Sequence, residues 1–519
     1  LSTRFPSEAL GALYGVVKQL TGSPLVRDNS GGGECYGGAL QEYADFADYH
    51  LYGDAHFART TFHAFLDTPR APAPWLQGEF ADHDTQRDFL TLRQTTPRPQ
   101  LWWLERDPEV NPQGVRWFYE TPFVEERLQQ AGVWDALPEL VRTSRSEMLA
   151  YHKLVLETMR RLPNTSGYVV TGLKDTPIAT AGILDERGDF KIPPESYTNF
   201  NADTVLLLDW HRRRDWIAGG DRPAYPDPYN HLGGRTVYPQ IIVSHFGAPI
   251  TAQTLRWQLV RSANSPEPVQ RGEVGVHTPI RGGVAWLAQL KVDLPTLENP
   301  EQFLLEAELL SSEGESIATN RWRWGVYPPP DWASLGNLVV YDPAETLWGL
   351  PHELRRAPAD GDAPDADALM LTTRLESSQV EAVRRGGAAL WLVSAPSPAL
   401  QCERVPFWRE AAHRFLDHPL WNWLPRPEYL DERLFAFSTD LALQATSFEG
   451  YAIRPIWQRV DTRTGYTHCY LGEVALGAGK LLLTTLHFAG HHGETPITLR
   501  YHPAGQYWLW AMLRYLASR

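Results

Sequence analysis

The chain has 519 residues, 43% of them hydrophobic, and at about 100–200 residues per domain this length predicts about three domains. The formal net charge is −14, with 48 basic against 62 acidic residues and no long run of Lys or Arg, so nucleic acid and anionic membranes are excluded as expected partners. Three scattered cysteines without a CxxC pair exclude a disulfide framework and a structural zinc site, and no apolar run reaches the roughly 18 residues of a transmembrane helix.

Residues 1–215 alternate strand-like runs with helical patterns, which is typical of βα units in a parallel sheet or barrel. Ser7 can cap a helix with an apolar stripe that extends to Leu20. The other predicted helices are His56–Leu66 and Ser144–Leu162, and the predicted strands are Pro24–Val26, Asp45–Tyr52, the run that ends near Glu79, and Gly167–Leu173. A closed barrel needs eight strands, so four of them predict half a barrel.

Polar residues follow the first two predicted strands. Asp28 and Asn29 precede a glycine-rich stretch, which either lets the backbone approach a ligand closely or forms a flexible loop. His50 and Tyr52 end the second strand and, on a parallel sheet, would lie beside Glu79. A Tyr52 hydroxyl there could hydrogen-bond the carboxylate and keep it ionised. His50 either binds a sugar hydroxyl or is a structural histidine.

The stretch from Pro74 to Asp82 contains the strongest candidate, Glu79. An apolar run that ends in Gly-Glu-Phe before a polar loop indicates a buried parallel strand that delivers one carboxylate to its C-terminal edge. In α/β barrels this edge holds the active site, and a retaining glycosidase uses such a carboxylate as its nucleophile. The same pattern also fits a surface Glu after an edge strand. Asp82 and Asp84 either orient the following loop or cap a helix.

Further candidates lie in an aromatic insertion and after the fourth strand. Trp102, Trp103 and Trp117 either line sugar subsites, because indole faces suit sugar stacking, or pack in a core. Asp175 either contacts substrate or fixes the turn before Pro177.

In the rest of the chain the composition and the predicted secondary structure change at two points. A segment rich in Gly, Pro and Asp predicts a linker at 216–238, and the short alternating segments of 239–328 predict a small Ig-like β-sandwich. After three prolines, residues 335–519 again alternate strands with helices, which predicts an open, doubly wound α/β domain. The predicted elements there are the strands Asn337–Tyr341, Ala388–Val393 and Lys480–Leu486 and the helices Leu375–Arg385 and Gln506–Leu516.

The order and the amino-acid sequences of these segments resemble those of glycoside hydrolase family 2, in the clan of retaining barrel glycosidases. EALGALYGVVKQLTGSPLVRDNSG is similar to that family's fourth helix and fifth strand, DFADYHLYGD to its sixth strand, PWLQGEFADHD to its seventh, and SGYVVTGLKDTPIATAGILDERGDFK to its eighth strand and closing segment. The Glu of the seventh strand is the family's nucleophile, so the resemblance implies that role for Glu79.

The remainder extends this resemblance. Residues 239–327 look like the β-sandwich that often follows the barrel, and LDHPLWNWLP with the Gly-Ala-Gly-Lys strand resembles a class I glutamine-amidotransferase-like, flavodoxin-like domain. No Cys stands in a strand-to-helix elbow there, so amidotransferase activity is not implied. The resemblance therefore implies a multidomain α/β chain: strands five to eight of a (β/α)8 barrel, a sandwich and a flavodoxin-like domain.

Differences between this sequence and the family's motifs change the function that we expect. The family's acid/base is the Glu of an Asn-Glu pair that ends strand four, and this chain contains no Asn-Glu. We therefore expect the C-terminal part of a retaining β-glycosidase of the β-galactosidase, β-glucuronidase or β-mannosidase kind. Its partners would be a carbohydrate substrate and the missing N-terminal half of the same polypeptide, and no cofactor or metal is implied. As an isolated half barrel it should be nearly inactive.

The alternative is a non-catalytic carbohydrate-binding or assembly protein built on a degenerate half barrel. It would keep the aromatic insertion and would need no acid/base. Homo-oligomerisation stays open in both cases, and so does the sugar, because enzymes for different β-glycosides share this framework. No signal peptide is visible, which slightly favours the cytoplasm.

Overall fold

The computed structural model shows a mixed α/β protein with several sheets. It describes residues 6–22, 25–27, 30–31, 43–55, 73–112, 120–163, 165–211, 213–217, 220–224, 226–261, 267–276, 279–357, 365, 367–397, 400–444, 446–488 and 499–518. No helix in these ranges combines the length and apolar character that crossing a bilayer requires. Asp28, Asn29, Trp117 and the predicted helix His56–Leu66 lie outside the described residues.

The first sheet has three parallel strands in the order β1 (Ala47–Tyr49), β2 (Trp75–Phe80) and β3 (Thr165–Val170). Three of the four predicted strands are therefore present, and β1 and β3 are shorter than predicted. The predicted strand at Pro24–Val26 is not a strand in its described part. The Val26 N–H donates to the Asp45 carboxylate at 2.5 Å instead of to a neighbouring strand, and the next residue makes only a single antiparallel bridge.

Six helices are described, namely α1 (Ser7–Thr21), α2 (Phe89–Thr95), α3 (Thr121–Gln130), α4 (Leu137–Arg160), α5 (Ser377–Arg384) and α6 (Pro503–Ala517). The helix predicted from Ser7 is confirmed as α1, although none of its residues is buried and Leu13, Val16 and Leu20 of its apolar stripe are exposed. The long helix α4 begins seven residues before the predicted Ser144, and most of its residues are buried.

A second region consists of antiparallel sheets around its own apolar core. Its strands are β4 (Thr204–Asp209), β5 (Arg213–Ile217), β6 (Gly220–Ala224), β7 (Asn230–Leu232), β8 (Thr236–Val237), β9 (Gln240–His245), β10 (Ala252–Arg261), β11 (Pro268–Gly275), β12 (Gly283–Gln289), β13 (Val292–Asp293), β14 (Glu301–Ser311) and β15 (Ser316–Tyr327). The larger sheet has the order β11-β10-β14-β15-β7 and the next one β12-β9-β4. Buried residues alternate with more accessible ones along β10 and β14, which places one face of the larger sheet on the core.

The predicted linker 216–238 is largely built into these sheets. β7 pairs in parallel with the end of β15, β8 pairs with β13, and β4 pairs with β9 from before the predicted linker. The turn composition that suggested a linker serves tight turns instead: the Asp227 carboxylate accepts the backbone N–H groups of Tyr229 and Asn230.

The C-terminal region is built on one long mixed sheet. Its strands are β16 (Leu338–Tyr341), β17 (Arg355–Arg356), β18 (Leu369–Thr372), β19 (Ala388–Leu392), β20 (Cys402–Arg404), β21 (Ala411–Phe415), β22 (Leu441–Leu443), β23 (Ser447–Phe448), β24 (Tyr451–Asp461), β25 (Thr467–Leu476) and β26 (Gly479–Thr484). The part β17-β16-β18-β19-β26 is parallel and contains all three predicted strands, whereas β25 and β24 continue it antiparallel. The antiparallel extension was not predicted. The predicted helices are confirmed as α5 and α6.

Candidate active site

Glu79 lies near the C-terminal end of β2 with its carboxylate half exposed, at 49% of its side-chain surface. The Tyr52 hydroxyl donates a hydrogen bond to Glu79 Oε2 at 2.7 Å, and His50 Nδ1 lies 3.3 Å from the same oxygen. The sequence-based expectation that these three residues meet at one edge of a parallel sheet therefore agrees with the geometry. The Glu79 carboxylate is thus both accessible and hydrogen-bonded by an oriented donor.

Tyr52 is a fixed donor in this arrangement. Burial raises the pKa of its hydroxyl well above the ordinary value, and the hydrogen bond to the Glu79 carboxylate raises it further. The hydroxyl therefore stays protonated at any ordinary pH. The Thr171 hydroxyl lies 3.3 Å from the Tyr52 oxygen and is then the donor in that contact.

His50 connects Glu79 to a second, buried carboxylate. Its Nε2 lies 3.0 Å from the Ser30 hydroxyl and 3.6 Å from Asp48 Oδ2. A neutral imidazole carries one N–H. The tautomer of His50 therefore decides whether that N–H points to Glu79 or to Asp48 and Ser30. Gly31, which has φ 63°, lies close to this imidazole, because a Cβ built on it would be 2.6 Å from His50 Nδ1.

Asp48 is held in place from several sides. Its Oδ2 accepts the Gly31 N–H and the Ser30 hydroxyl, both at 3.1 Å, and the side chain is only 6% exposed. Its Oδ1 has no hydrogen-bond partner within the described residues. A Cβ built on Gly78 would stand 2.1 Å from that oxygen. The glycine of the Gly-Glu-Phe sequence is therefore what lets the Asp48 carboxylate lie against β2.

We expect Gly78→Ala to destabilise the chain by about 1–3 kcal/mol, because the added methyl group overpacks against the fixed Asp48 carboxylate. The change should appear as a lower urea midpoint with an unchanged slope. Gly172→Ala is the matched control, since a Cβ there meets nothing within 4 Å. Equal midpoints for the two variants would contradict the close approach of Asp48 to Gly78.

The chain turns sharply after β2 and then enters a buried polar loop. Ala81 has φ 62°, a left-handed conformation that costs a non-glycine residue roughly 1 kcal/mol. Of the loop's acids, Asp82 pairs with Arg409 at 2.6 Å and Asp84 with Arg463 at 2.5 Å. Burial raises the pKa of the Asp82 carboxyl, and the Arg409 charge opposes that rise. The loop is thus ordered by charges of the C-terminal region and does not cap a helix through these two acids.

The remaining predicted residues divide into exposed and buried positions. Trp102 is 44% exposed, whereas Trp103 is buried with the Arg87 guanidinium 4.6 Å from its ring centre. Asp175 is buried and forms an ion pair with Lys191 at 2.6 Å, and it also accepts the Gly182 N–H. Asp175 and Trp103 are therefore buried, whereas Trp102 is exposed.

Sequence reasoning missed Asp48, Thr171 and Arg409. Asp48 had a detectable signal, because it precedes His50 by two residues and so shares its face of the strand. Arg409 had none, since it lies more than 300 positions from the loop it contacts. No group of three or more His, Cys, Asp or Glu within the described part of the chain could hold a metal.

Comparisons with known proteins match only part of the chain. A family model described as a domain of unknown function, DUF8488, matches residues 235–328, which contain strands β8 to β15. No curated protein matches.

Several solved structures are similar over about two thirds of the chain. β-Glucuronidase 2 of Bacteroides uniformis, solved with a covalently bound cyclophellitol-6-carboxylate aziridine, is 13% identical over 66% of this chain and 32% of its own, with a TM-score of 0.23. A putative β-galactosidase from Bacteroides fragilis is 11% identical over 63% of this chain and 40% of its own, with a TM-score of 0.26. The chain thus spans about a third of the length of the first of these structures. Scores of this size establish neither a fold nor an activity.

Proposed function

We propose that this chain supplies the nucleophile-bearing part of a retaining β-glycosidase and that Glu79 is the nucleophile. The observation that carries the proposal is the half-exposed Glu79 carboxylate at the end of a parallel strand, with the Tyr52 hydroxyl at 2.7 Å and His50 at 3.3 Å. A nucleophilic carboxylate must be ionised, oriented and open to the sugar. The Tyr52 donor stabilises the ionised form, and the exposed face leaves one oxygen free to attack.

In the proposed reaction a Glu79 oxygen attacks the anomeric carbon while the bond to the leaving oxygen breaks. A second carboxyl protonates that oxygen and then takes a proton from water, which releases the sugar with its original configuration. In retaining enzymes the two carboxyls lie about 5–5.5 Å apart. Asp48 is a poor second carboxyl because it is buried and engaged with Gly31 and Ser30. Another carboxyl would therefore act as the acid/base.

Trapping of the glycosyl-enzyme tests the proposal without any need to identify the acid/base. We expect 2,4-dinitrophenyl 2-deoxy-2-fluoro-β-glycosides to label Glu79, because dinitrophenolate leaves unprotonated and the fluorine slows release of the sugar. The panel should hold the galactoside, glucuronide and mannoside. Intact mass and peptide mapping locate the adduct.

Two variants control this experiment. Glu79→Gln should give no adduct, and Glu313→Gln, which changes an exposed carboxylate in the turn between β14 and β15, should label like the parent. Labelling of another carboxylate, or of the Glu79→Gln variant, would contradict the assignment. Binding of a sugar without any adduct would favour the non-catalytic alternative.

A further inference from the structure

A segment of the C-terminal region packs against the residues that follow β1 and β2. The Trp408 N–H donates to Asp54 Oδ2 at 2.7 Å. The Arg409 carbonyl accepts the Asp84 N–H at 2.8 Å, and the Arg409 side chain donates to Asp82 Oδ1 at 2.6 Å. Backbone and side chain of one short segment therefore both reach the neighbourhood of Glu79.

The Arg409 guanidinium lies between an acid and an aromatic ring. Its carbon is 5.6 Å from the centre of the Tyr52 ring and 4.7 Å from that of Phe407. Arg409 is 7% exposed, and its Nε has no hydrogen-bond partner within the described residues. The same Tyr52 ring carries the hydroxyl that donates to Glu79. A continuous series of contacts thus links Asp82, Arg409, Tyr52 and Glu79.

We infer that Arg409 is a positioning residue of this site, which neutralises Asp82 and supports the Tyr52 ring so that its hydroxyl stays directed at Glu79. This role rests on the proposed function, because the site it serves is that of Glu79. An arginine suits the position better than a lysine, since a planar guanidinium can lie against a ring while it donates to a carboxylate. The C-terminal region then contributes a positioning residue to the site.

The test uses the full chain and two readouts. One is the rate at which the dinitrophenyl fluoro-glycoside labels Glu79, and the other is the ¹⁹F NMR signal of 3-fluorotyrosine at position 52, assigned with Tyr52→Phe. Arg409→Met removes the charge and keeps most of the volume. We expect it to slow labelling by about tenfold to a hundredfold, as small misplacements in an active site do, and to displace the Tyr52 signal. Arg409→Lys should recover part of the rate.

Two further variants keep the test decisive. Arg409→Met leaves the buried Asp82 with the more distant Arg463, 4.0 Å away, in place of its nearer cation, which can unfold the chain. Arg409→Met is therefore also combined with Asp82→Asn to remove both charges. The combined variant should fold and still show a displaced Tyr52 signal, because the ring has lost its support. Arg404→Met is the matched control: Arg404 lies on β20, is 83% exposed and pairs with Asp440. It should change neither readout.

The outcomes separate this role from the proposed function. If the combined variant matches the parent in both labelling rate and Tyr52 signal, Arg409 has no positioning role. If the parent is not labelled at all, while the Tyr52 signal moves with Arg409→Met and not with Arg404→Met, Glu79 is not the nucleophile and the contact of Arg409 with Tyr52 stands.

Discussion

On the proposed function, Glu79→Ala should lower glycosidase turnover by at least about a thousandfold, equivalent to roughly 4 kcal/mol of activation barrier. The loss follows because alanine removes the carboxylate that would form the covalent intermediate. Sodium azide with a dinitrophenyl β-glycoside should then restore turnover. The small anion enters the space that the carboxylate left and attacks the anomeric carbon from the same face, so the product should be the α-glycosyl azide. Proton NMR of the product determines its anomeric configuration.

The stereochemistry makes this experiment specific to the role of Glu79. A β-glycosyl azide would mean that azide enters from the opposite face and that Glu79 is the acid/base. Turnover within about tenfold of the parent, or roughly 1.4 kcal/mol, would remove Glu79 from the chemistry altogether. Glu313→Ala is the control for a lost surface carboxylate. Since Glu79 is half exposed, its replacement should leave the folded state largely intact.

Glu157→Leu should produce the largest loss of stability, about 3–5 kcal/mol, because it removes one partner from a buried charged network. Glu157 lies on α4 and is 4% exposed. Its carboxylate accepts the Asn320 side-chain amide at 2.7 Å and the Trp322 indole N–H at 3.0 Å, and it pairs with Lys153. Without it, the half-buried Lys153 cation loses its carboxylate and keeps the Asn320 side-chain oxygen, and the buried Trp322 indole N–H loses its acceptor. The urea midpoint followed by tryptophan fluorescence measures the effect.

Two variants show whether the charge or the volume is responsible. Glu157→Gln keeps the shape and one acceptor, so its cost should be nearer 1–2 kcal/mol. Adding Lys153→Met to Glu157→Leu removes the orphaned cation and should recover part of the loss, as expected for residues in one network. A midpoint for Glu157→Leu within about 0.5 kcal/mol of the parent, the range of ordinary surface substitutions, would show that the network is not essential.

The helices and strands that are predicted correctly from the sequence are those that depend on the pattern of nearby residues. The strand from Trp75 to Phe80 follows from a short apolar run that ends in Gly-Glu-Phe, and the helix that starts at Ser7 follows from its apolar stripe. The meeting of Glu79 with His50 and Tyr52 needed one further step, namely that consecutive parallel strands end at the same edge of a sheet. Each of these inferences uses residues close together in the sequence or on neighbouring strands.

The rest depends on contacts that local pattern does not encode. Lys-Asp-Thr-Pro fits a substrate contact and a structural turn, and its local pattern does not encode the ion pair of the buried Asp175 with Lys191. Residues 216–238 have the composition of a linker, but they contain short strands whose partner strands lie far along the chain. Asp82 could be recognised as a loop acid, but its cation comes from another region of the fold.

The pairs that order the loop after β2 also determine when that loop can become ordered during synthesis. Asp82 and Arg409 are 327 positions apart, and Asp84 and Arg463 are 379 apart. At about 5–20 residues per second, the ribosome needs roughly 20–75 seconds to make the second partner after the first. During that interval the emerging chain carries the Glu79 strand with its polar loop unpaired. Completion of the ion pairs that order this loop therefore has to wait until Arg463 has been translated.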